Sequence, residues 1–160
     1  MNAAVLTVSD GVHHGTREDR SGDTLAELLA GEGFAVERRV VPDEADEIAD
    51  AIVDLAGRSS LVLTTGGTGF TPRDVTPEAT RRVLEREAPG LAEAIRADAR
   101  TKTPHALLSR GLAGLRGATL VVNLPGSPGG CRDGFAVLQP ALAPGLELAA
   151  GDQGSRHVQT

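Results

Sequence analysis

The chain has 160 residues, 40% of them hydrophobic, and this composition suits one compact α/β domain with a full core. The net charge is −6, Trp and Tyr are absent, and no basic stripe is present, so the sequence argues against a nucleic-acid-binding protein. The single cysteine, Cys131, excludes an intrachain disulfide and favours a reducing, cytoplasmic compartment. We expect neither a secretory leader nor a membrane span, because no apolar run approaches the roughly 18 residues that a span needs.

The first half of the chain alternates between strand and helix patterns, which is typical of α/β proteins. The first strand ends in a polar, glycine-containing loop, and the third ends in Gly66-Gly67-Thr68-Gly69. The predicted strands cover residues 3–8, 35–41 and 61–65, and the predicted helices cover about 23–31 and 44–56. This order predicts a three-layer α/β sandwich with a mostly parallel sheet flanked by helices.

The second half opens with a helix at Thr76-Pro77-Glu78, where Thr76 is the expected N-cap and Pro77 the first helical residue. Pro89-Gly90 is expected to break this helix. Further helices are predicted over 91–100, 106–112 and about 132–149, the last kinked by Pro140 or Pro144, and a strand is predicted over 119–124. We expect a single domain over residues 1–150 and a frayed tail over 151–160.

Polar and glycine-rich segments follow four of the predicted strands. Ligands of open parallel sheets bind beyond the carboxyl ends of the strands, near the point where strand order reverses. We therefore expect these segments to converge on one rim. The segments are Ser9-Asp10 with Asp19 to Gly22, Asp43, Gly66 to Gly69 with Arg73-Asp74, and Pro125 to Pro128.

The segment from Gly66 to Gly69 suits an anion, because glycines let backbone N–H groups approach phosphate oxygens and Thr68 adds a hydroxyl. The alternative is a tight strand-to-helix turn with no ligand. Neither GxxxxGK[ST] nor GxGxxG occurs, so the chain is neither a P-loop enzyme nor a standard dinucleotide binder.

Asp43 and Asp74 follow two predicted strands that we expect to be neighbours in the sheet. A carboxylate beside a phosphate repels it unless a cation intervenes, and Mg²⁺ bound by one or two carboxylates plus substrate phosphates is the common arrangement. The structural alternative is that Asp43 caps the helix beginning near Glu44 and that Asp74 caps or braces the turn before Thr76.

Six segments together resemble one known family. They are TVSDG at 7–11, DRSG at 19–22, VVPDE at 40–44, TTGGTGFTPRDVTPEAT at 64–80, LSRGLAG at 108–114 and NLPGSPGG at 123–130. This combination is similar to the molybdopterin adenylyltransferases, whose bacterial members are the Mog and MoaB-like proteins, and to the G domains of gephyrin and its plant counterpart. The resemblance covers almost the whole chain except the tail.

The resemblance implies transfer of AMP from ATP to the terminal phosphate of molybdopterin, with ATP and molybdopterin as substrates and Mg²⁺ as cofactor. It also implies a homotrimer, which could pair into a hexamer, and hand-over of the product to a molybdenum-insertion enzyme. The family's functional aspartates match Asp43 and Asp74, which would organise the metal, and a functional serine matches Ser109. The implied substrate contacts are Ser9, Asp10, Asp19, Ser21, Gly22, Thr65, Gly66, Gly67, Thr68, Gly69, Pro125, Gly126, Ser127 and Pro128.

The chemistry of this transfer needs little proton movement, because a phosphate monoester has a second pKa near 6 and is largely ionised at neutral pH. Arg73 or a similar cation would help to neutralise the phosphates, and Ser109 would orient a ligand. Two other hypotheses remain. One is a pterin-binding or scaffold protein without adenylyl transfer. The other is a relative such as the molybdenum-insertion enzyme or the competence-damage proteins, whose further domains 160 residues would not hold.

Overall fold

The computed structural model of the chain describes residues 1–151; residues 152–160, most of the expected tail, lie outside the described part. Its strands are β1 (Asn2–Val8), β2 (Ala35–Val41), β3 (Leu61–Thr65), β4 (Arg86–Glu87), β5 (Ala113–Arg116) and β6 (Thr119–Leu124). Its helices are α1 (Asp10–His13), α2 (Arg20–Gly31), α3 (Ala45–Ala56), α4 (Thr76–Val83), α5 (Pro89–Arg100) and α6 (Pro128–Ala149), with a 3₁₀ helix at Pro104–Leu108.

The six strands form one mixed sheet in the order β2-β1-β3-β6-β5-β4. The first four strands of this order are parallel, whereas β5 and β4 are antiparallel to their neighbours. After β1 the chain adds β2 on one side and then returns to place β3 on the other. The strand order therefore reverses between β1 and β3, which is where open sheets of this type bind ligands.

Helices cover both faces of the sheet, as the sequence predicts, and each face has its own core. Successive residues of β1 point to opposite faces. Ala3 and Val5 join the core with α2, α5 and α6, whereas Ala4 and Leu6 join the core with α3 and α4. All five residues of β3 are buried because this central strand is covered on both faces.

The predicted helix over 106–112 is wrong. The structure has the 3₁₀ helix over Pro104–Leu108 and then extended chain that leads into β5. Both β4 and β5 were missed, because they are short and lack the apolar runs of the parallel strands. Gly114 was a sequence signal for the pairing of β4 with β5. A β-carbon on Gly114 would lie 2.4 Å from the Arg86 carbonyl oxygen, so only glycine allows β4 to approach.

Helix α4 already ends at Val83, and α5 begins at Pro89, where a break within a helix was expected. Three further helix beginnings differ from the sequence-based prediction. Helix α2 begins at Arg20 because the Asp19 carboxylate accepts a hydrogen bond from Gly22 N at 3.0 Å. Helix α6 begins at Pro128, capped by Ser127, and it continues through Pro140 and Pro144 as a single element. The short helix α1 was not predicted. These starts lie after the parallel strands, so they set the walls of the site.

The N-cap of α4 is Val75, and the expectation that Thr76 holds this position is wrong. Thr76 lies in the first turn, fully buried, and its hydroxyl donates to the Gly66 carbonyl oxygen at 2.9 Å. Of the helices within residues 1–151, none is long and apolar enough to cross a membrane.

Candidate active site

The carboxyl ends of β1, β2, β3 and β6 open into one cavity of about 570 Å³, here called the strand-end cavity. The predicted convergence of four loops on one rim is therefore found in the structure. The cavity is lined by Thr7, Val8, Ser9, Val12, Arg17, Glu18, Arg20, Ser21, Asp43, Thr65, Gly66, Gly67, Asp74, Gly126, Ser127 and Pro128. It brings both candidate aspartates together with the glycine segment after β3.

A second cavity of about 350 Å³, here called the side cavity, shares Ser127 with the first. Its wall is mainly apolar, with Ile95, Ala99 and Leu108 among the lining residues. The candidate residues Thr68, Gly69, Ser109 and Pro125 line this cavity and not the strand-end cavity. An apolar wall with a few polar groups is typical of pockets that bind part of a small organic ligand.

Asp10 and Asp43 are joined by two hydrogen bonds, each from the backbone N of one residue to the carboxylate of the other. Asp10 N donates to Asp43 Oδ2 at 2.9 Å, and Asp43 N donates to Asp10 Oδ1 at 2.9 Å. This reciprocal pair fixes the start of α1 against the end of β2. The alternative hypothesis, that Asp43 caps the following helix, is wrong, since the N-cap of α3 is Glu44 and no side chain caps that helix.

The Asp43 carboxylate lies in an environment that disfavours its charge. Burial raises the pKa of Asp43 above its ordinary value, and the nearby carboxylates of Asp10 and Asp74 raise it further. The hydrogen bond from Asp10 N and the charge of Arg73 act in the opposite direction. A cation in the strand-end cavity would relieve this repulsion.

The expectation that Asp43 and Asp74 follow adjacent strands is wrong, because β1 lies between β2 and β3. The two residues still face one cavity because the chain after β3 crosses the end of β1. A β-carbon on Gly67 would lie 3.2 Å from Asp43 Oδ1 and 2.3 Å from Thr76 Oγ1, which shows how closely this segment approaches Asp43.

Residues 66–74 are here called the glycine loop. Its first two residues have positive φ, +99° at Gly66 and +69° at Gly67, a region that side-chain-bearing residues rarely adopt. A β-carbon on Gly66 would lie 2.3 Å from the Val8 carbonyl oxygen. The glycines are therefore required by the fold itself, and their presence alone does not demonstrate a ligand.

Asp74 closes the far end of the glycine loop. Thr71 N donates to Asp74 Oδ2 at 3.0 Å, and Asp74 N donates to the Thr71 carbonyl at 3.0 Å. The bracing role that the sequence allowed for Asp74 is therefore present. Within residues 1–151 the other carboxylate oxygen, Oδ1, accepts no hydrogen bond, and Asp74 also lines the strand-end cavity.

The donor set of the cavity fits a hard cation such as Mg²⁺. In the described part of the chain no cluster of three or more His, Cys, Asp or Glu side chains could hold a metal. Two carboxylates, Asp43 and Asp74, face the same cavity, and Mg²⁺ commonly takes one or two carboxylates plus substrate phosphates. The site therefore suits a metal that arrives with a phosphorylated substrate.

Four candidate residues line neither cavity: Asp10, Asp19, Gly22 and Arg73. The Arg73 guanidinium donates to both Asp10 carboxylate oxygens at 3.0 Å and to Glu44 at 3.0 Å. Arg73 also lowers the pKa of Asp10 through these hydrogen bonds. Its position supports the Asp10–Asp43 pair from outside the cavity.

Asp19 and Gly22 build the start of α2. The Asp19 carboxylate accepts hydrogen bonds from Thr7 Oγ1 and Gly22 N and from the Arg38 guanidinium at 3.0 Å. A β-carbon on Gly22 would lie 2.2 Å from Asp19 Oδ2, so this cap needs glycine. The result is a helix N-terminus whose residues Arg20 and Ser21 line the strand-end cavity.

Two long helices present their N-termini to the strand-end cavity, α2 through Ser21 and α6 through Ser127 and Pro128. Helix N-termini carry partial positive charge and unpaired N–H groups, so they attract anions. Arg17 and Arg20 add two side-chain cations. Arg20 lies in the predicted segment from Asp19 to Gly22 but was not singled out as a candidate, and Arg17 was missed, although the polar loop after β1 was the signal. Arg20 pairs with Glu18, whereas Arg17 has no ion pair within residues 1–151.

Thr65 lines the strand-end cavity, but its hydroxyl is engaged by neighbouring parts of the protein. Its hydroxyl, which is buried, donates to the Pro125 carbonyl oxygen at 2.6 Å and lies 3.3 Å from Cys131 Sγ. The contact joins the end of β3 to the segment after β6. Burial raises the pKa of the Cys131 thiol to about 11, so this thiol is a structural group and not a nucleophile.

A comparison with known protein families shows to which family the chain belongs. A family model described as the probable molybdopterin binding domain matches residues 4–144. The chain belongs to this family. The match covers β1 from Ala4 onward, the other five strands and most of α6, and the resemblance drawn from the six sequence segments is confirmed.

Individual members of the molybdopterin binding domain family are similar over nearly the whole chain. A molybdopterin adenylyltransferase from Helicobacter pylori is 35% identical over 157 residues, which are 95% of this chain and 89% of the relative. The crystal structure of the molybdopterin biosynthesis enzyme MoaB from Thermus thermophilus has a TM-score of 0.88 and 48% identity, covering 94% of this chain and 96% of that one. The molybdenum cofactor synthesis protein cinnamon from Drosophila melanogaster is 44% identical over 153 residues, but the chain spans only 25% of its length.

Proposed function

We propose that this chain is a molybdopterin adenylyltransferase of molybdenum cofactor biosynthesis, which transfers AMP from ATP to the terminal phosphate of molybdopterin. The observation that carries the proposal is the strand-end cavity, where two carboxylates, the glycine loop and two helix N-termini meet. The similarity to enzymes of this name, 35% identity over 95% of the chain, supports the same reaction.

The reaction joins two polyanions. An oxygen of the molybdopterin phosphate attacks the α-phosphorus of ATP, the bond from that phosphorus to the bridging oxygen breaks, and pyrophosphate leaves. Because the attacking monoester is largely ionised at neutral pH, no general base is required. The protein must instead hold the two phosphates in line and neutralise their charge.

The chain provides these functions with groups that line the strand-end cavity. The N-termini of α2 and α6 would receive phosphate oxygens, and Arg17 and Arg20 would supply positive charge. Asp43 and Asp74 would hold Mg²⁺, which when bound neutralises the phosphates of ATP and the developing pyrophosphate. This assignment makes both aspartates metal ligands and not proton acceptors.

The side cavity would hold one of the two ring systems. Its wall is apolar at Ile95, Ala99 and Leu108, and Ser109 and His105 also line it and offer hydrogen bonds. A flat heterocycle, the adenine or the pterin, fits this make-up. Ser127, which lines both cavities, would lie near the point where the ring and the phosphates of one ligand join.

We further propose a homotrimer, or a hexamer built from two trimers, that works in the cytoplasm and hands adenylylated molybdopterin to a molybdenum-insertion enzyme. The support is the sequence resemblance. Light scattering on the purified protein should give three or six times the 16.5 kDa of the chain. A monomer at micromolar concentration would contradict the trimer without affecting the proposed reaction.

The experiment that tests the reaction measures pyrophosphate release by the purified chain with ATP, MgCl₂ and molybdopterin. Release should require all three components, and omission of molybdopterin is the control for ATP hydrolysis. A protein that binds molybdopterin in calorimetry but releases no pyrophosphate would be a pterin-binding scaffold, the second function that the sequence allowed.

A further inference from the structure

Arg110 directly follows Ser109 and reaches from the edge of the side cavity to the glycine loop. Its side chain is 34% exposed, yet all three of its guanidinium nitrogens are engaged. Nε donates to the Gly69 carbonyl at 2.8 Å and Nη2 donates to the Asp74 carbonyl at 2.7 Å. Nη1 pairs with the Glu78 carboxylate, and the backbone N of Arg110 donates to the Thr68 carbonyl at 2.9 Å.

The two carbonyls held by Arg110 lie at the two ends of residues 69–74. Between them the loop is closed by the reciprocal hydrogen bonds of Thr71 and Asp74. A β-carbon on Gly69 would lie 2.9 Å from Asp74 Oδ2, so the two ends are already in close contact. The direction in which the Asp74 carboxylate points therefore depends on the backbone geometry that Arg110 maintains.

We propose that Arg110 is a positioning residue that acts through Gly69 and Asp74 and fixes Asp74 relative to Ser109. Because Ser109 lines the side cavity and Asp74 lines the strand-end cavity, the Arg110 contacts set the distance between the two parts of the bound ligands. The catalytic consequence rests on the proposed adenylyl transfer, whereas the ordering of the glycine loop does not.

The geometry requires arginine and not only a positive charge. The planar guanidinium presents several N–H donors in a fixed fork, so it can reach two carbonyls and a carboxylate at once. A lysine ammonium at the same position could pair with Glu78 but would lose at least one of the two carbonyls. Arg110→Lys therefore separates the loop contacts from the charge.

The test compares Arg110→Lys with two matched variants. Arg82→Lys changes an arginine of α4 whose Nη1 and Nη2 bind Asp46 at 2.8 Å and which lines neither cavity. Glu78→Gln removes the ion pair of Arg110 but leaves its two carbonyl contacts. We expect kcat of Arg110→Lys to fall about 10²-fold with unchanged KM for ATP, because a small misplacement of a group in the site has an effect of this size. Both controls should keep the kcat of the wild type.

Amide hydrogen exchange gives a readout that does not depend on activity. Exchange at the Thr71 and Asp74 amides should accelerate about tenfold in Arg110→Lys and remain unchanged in Arg82→Lys, since only the first change releases the ends of the loop. In the wild type the Arg110 Nε–H should be protected from exchange, which can be measured whether or not any variant folds.

Three results would overturn the inference: unchanged exchange at Thr71 and Asp74 in Arg110→Lys, an unprotected Arg110 Nε–H in the wild type, or an equal loss of kcat in Glu78→Gln. Absence of adenylyl transfer in the wild type would instead refute the proposed function. In that case the two exchange measurements still decide whether Arg110 orders the loop.

Discussion

Replacement of Asp74 by asparagine separates the two roles of this side chain, which are to brace the glycine loop and, as proposed, to hold Mg²⁺. Asn keeps an oxygen that can accept the hydrogen bond from Thr71 N, now 3.0 Å from Asp74 Oδ2, so the turn should persist. The charged acceptor becomes neutral, which weakens this bond by about 1 kcal/mol. For a chain of this length we expect the midpoint of thermal unfolding to fall by only about 2–4 °C.

The effect on adenylyl transfer should be much larger. Asp74→Asn removes one of the two carboxylates that would hold Mg²⁺, and it leaves the Asp43 side chain as the single acidic ligand. We expect kcat to fall by about 10²-fold or more, a loss of about 3 kcal/mol of transition-state stabilisation. Binding of molybdopterin should persist or tighten, because a negative charge near an anionic ligand has been removed.

The assay is pyrophosphate release at saturating ATP and molybdopterin, with a titration of Mg²⁺ and of Mn²⁺ and with Asp46→Asn as the control. Asp46 lies on α3, pairs with Arg82 and lines neither cavity. Turnover of Asp74→Asn equal to that of the wild type would refute the metal assignment. A second result would also refute the metal assignment. If wild-type turnover followed the ionisation of one carboxylate at saturating Mg²⁺, and Asp74→Asn abolished that dependence, Asp74 would be a general base.

Three further predictions concern the site and its support. Gly67→Ala should destabilise the fold by about 2 kcal/mol or more, since φ is +69° and a β-carbon would lie 2.3 Å from Thr76 Oγ1. The control is Gly129→Ala, because Gly129 has open space around it. Equal midpoints of thermal unfolding for the two variants would contradict this expectation. Asp74→Asn should lower the raised pKa of Asp43, because one of the carboxylates that raise it is gone, and an unchanged carboxyl titration in ¹³C NMR would be inconsistent with the geometry. Cys131 should resist iodoacetamide in the native protein, since its thiol is buried and has a pKa of about 11; rapid native labelling would show that it is accessible.

The raised pKa of Asp43 also gives the direction of its effect on stability. A carboxyl whose pKa is higher in the folded than in the unfolded state favours folding less when it is ionised. Its contribution therefore becomes more unfavourable as the pH rises through the folded pKa, and is relieved as the pH falls through it. A bound cation would have the opposite effect and lower the pKa of Asp43.

The parallel part of the fold could be predicted from the sequence because its signals are local. Residues 61–65 form a short apolar run, and the structure has β3 over those residues. The loops after four strands could likewise be assigned to one rim, since parallel strands place their carboxyl ends at one edge. The two aspartates were selected in this way, although the position of β1 between β2 and β3 was not foreseen.

The antiparallel edge and the division into two cavities could not be predicted, because both depend on contacts between distant residues. Strand β4 has two residues and is defined by its partner β5, with Gly114 allowing the close approach. Ser109 was identified by resemblance to known sequences, and nothing in its neighbours indicates that it lines the side cavity. Its place beside Asp74 predicted that Arg73 neutralises phosphates, but its guanidinium is engaged by Asp10 and Glu44.

In the proposed reaction the strand-end cavity joins AMP to the phosphate of molybdopterin, and ³¹P NMR of the reaction mixture detects this new bond. When Mg²⁺ is present, we expect the phosphomonoester resonance of molybdopterin to disappear and two coupled resonances of a new phosphoanhydride to replace it. Free pyrophosphate should accumulate in equal amount. Persistence of the monoester resonance in the presence of folded protein, ATP and Mg²⁺ would contradict the proposed reaction and leave a pterin-binding protein without adenylyl transfer.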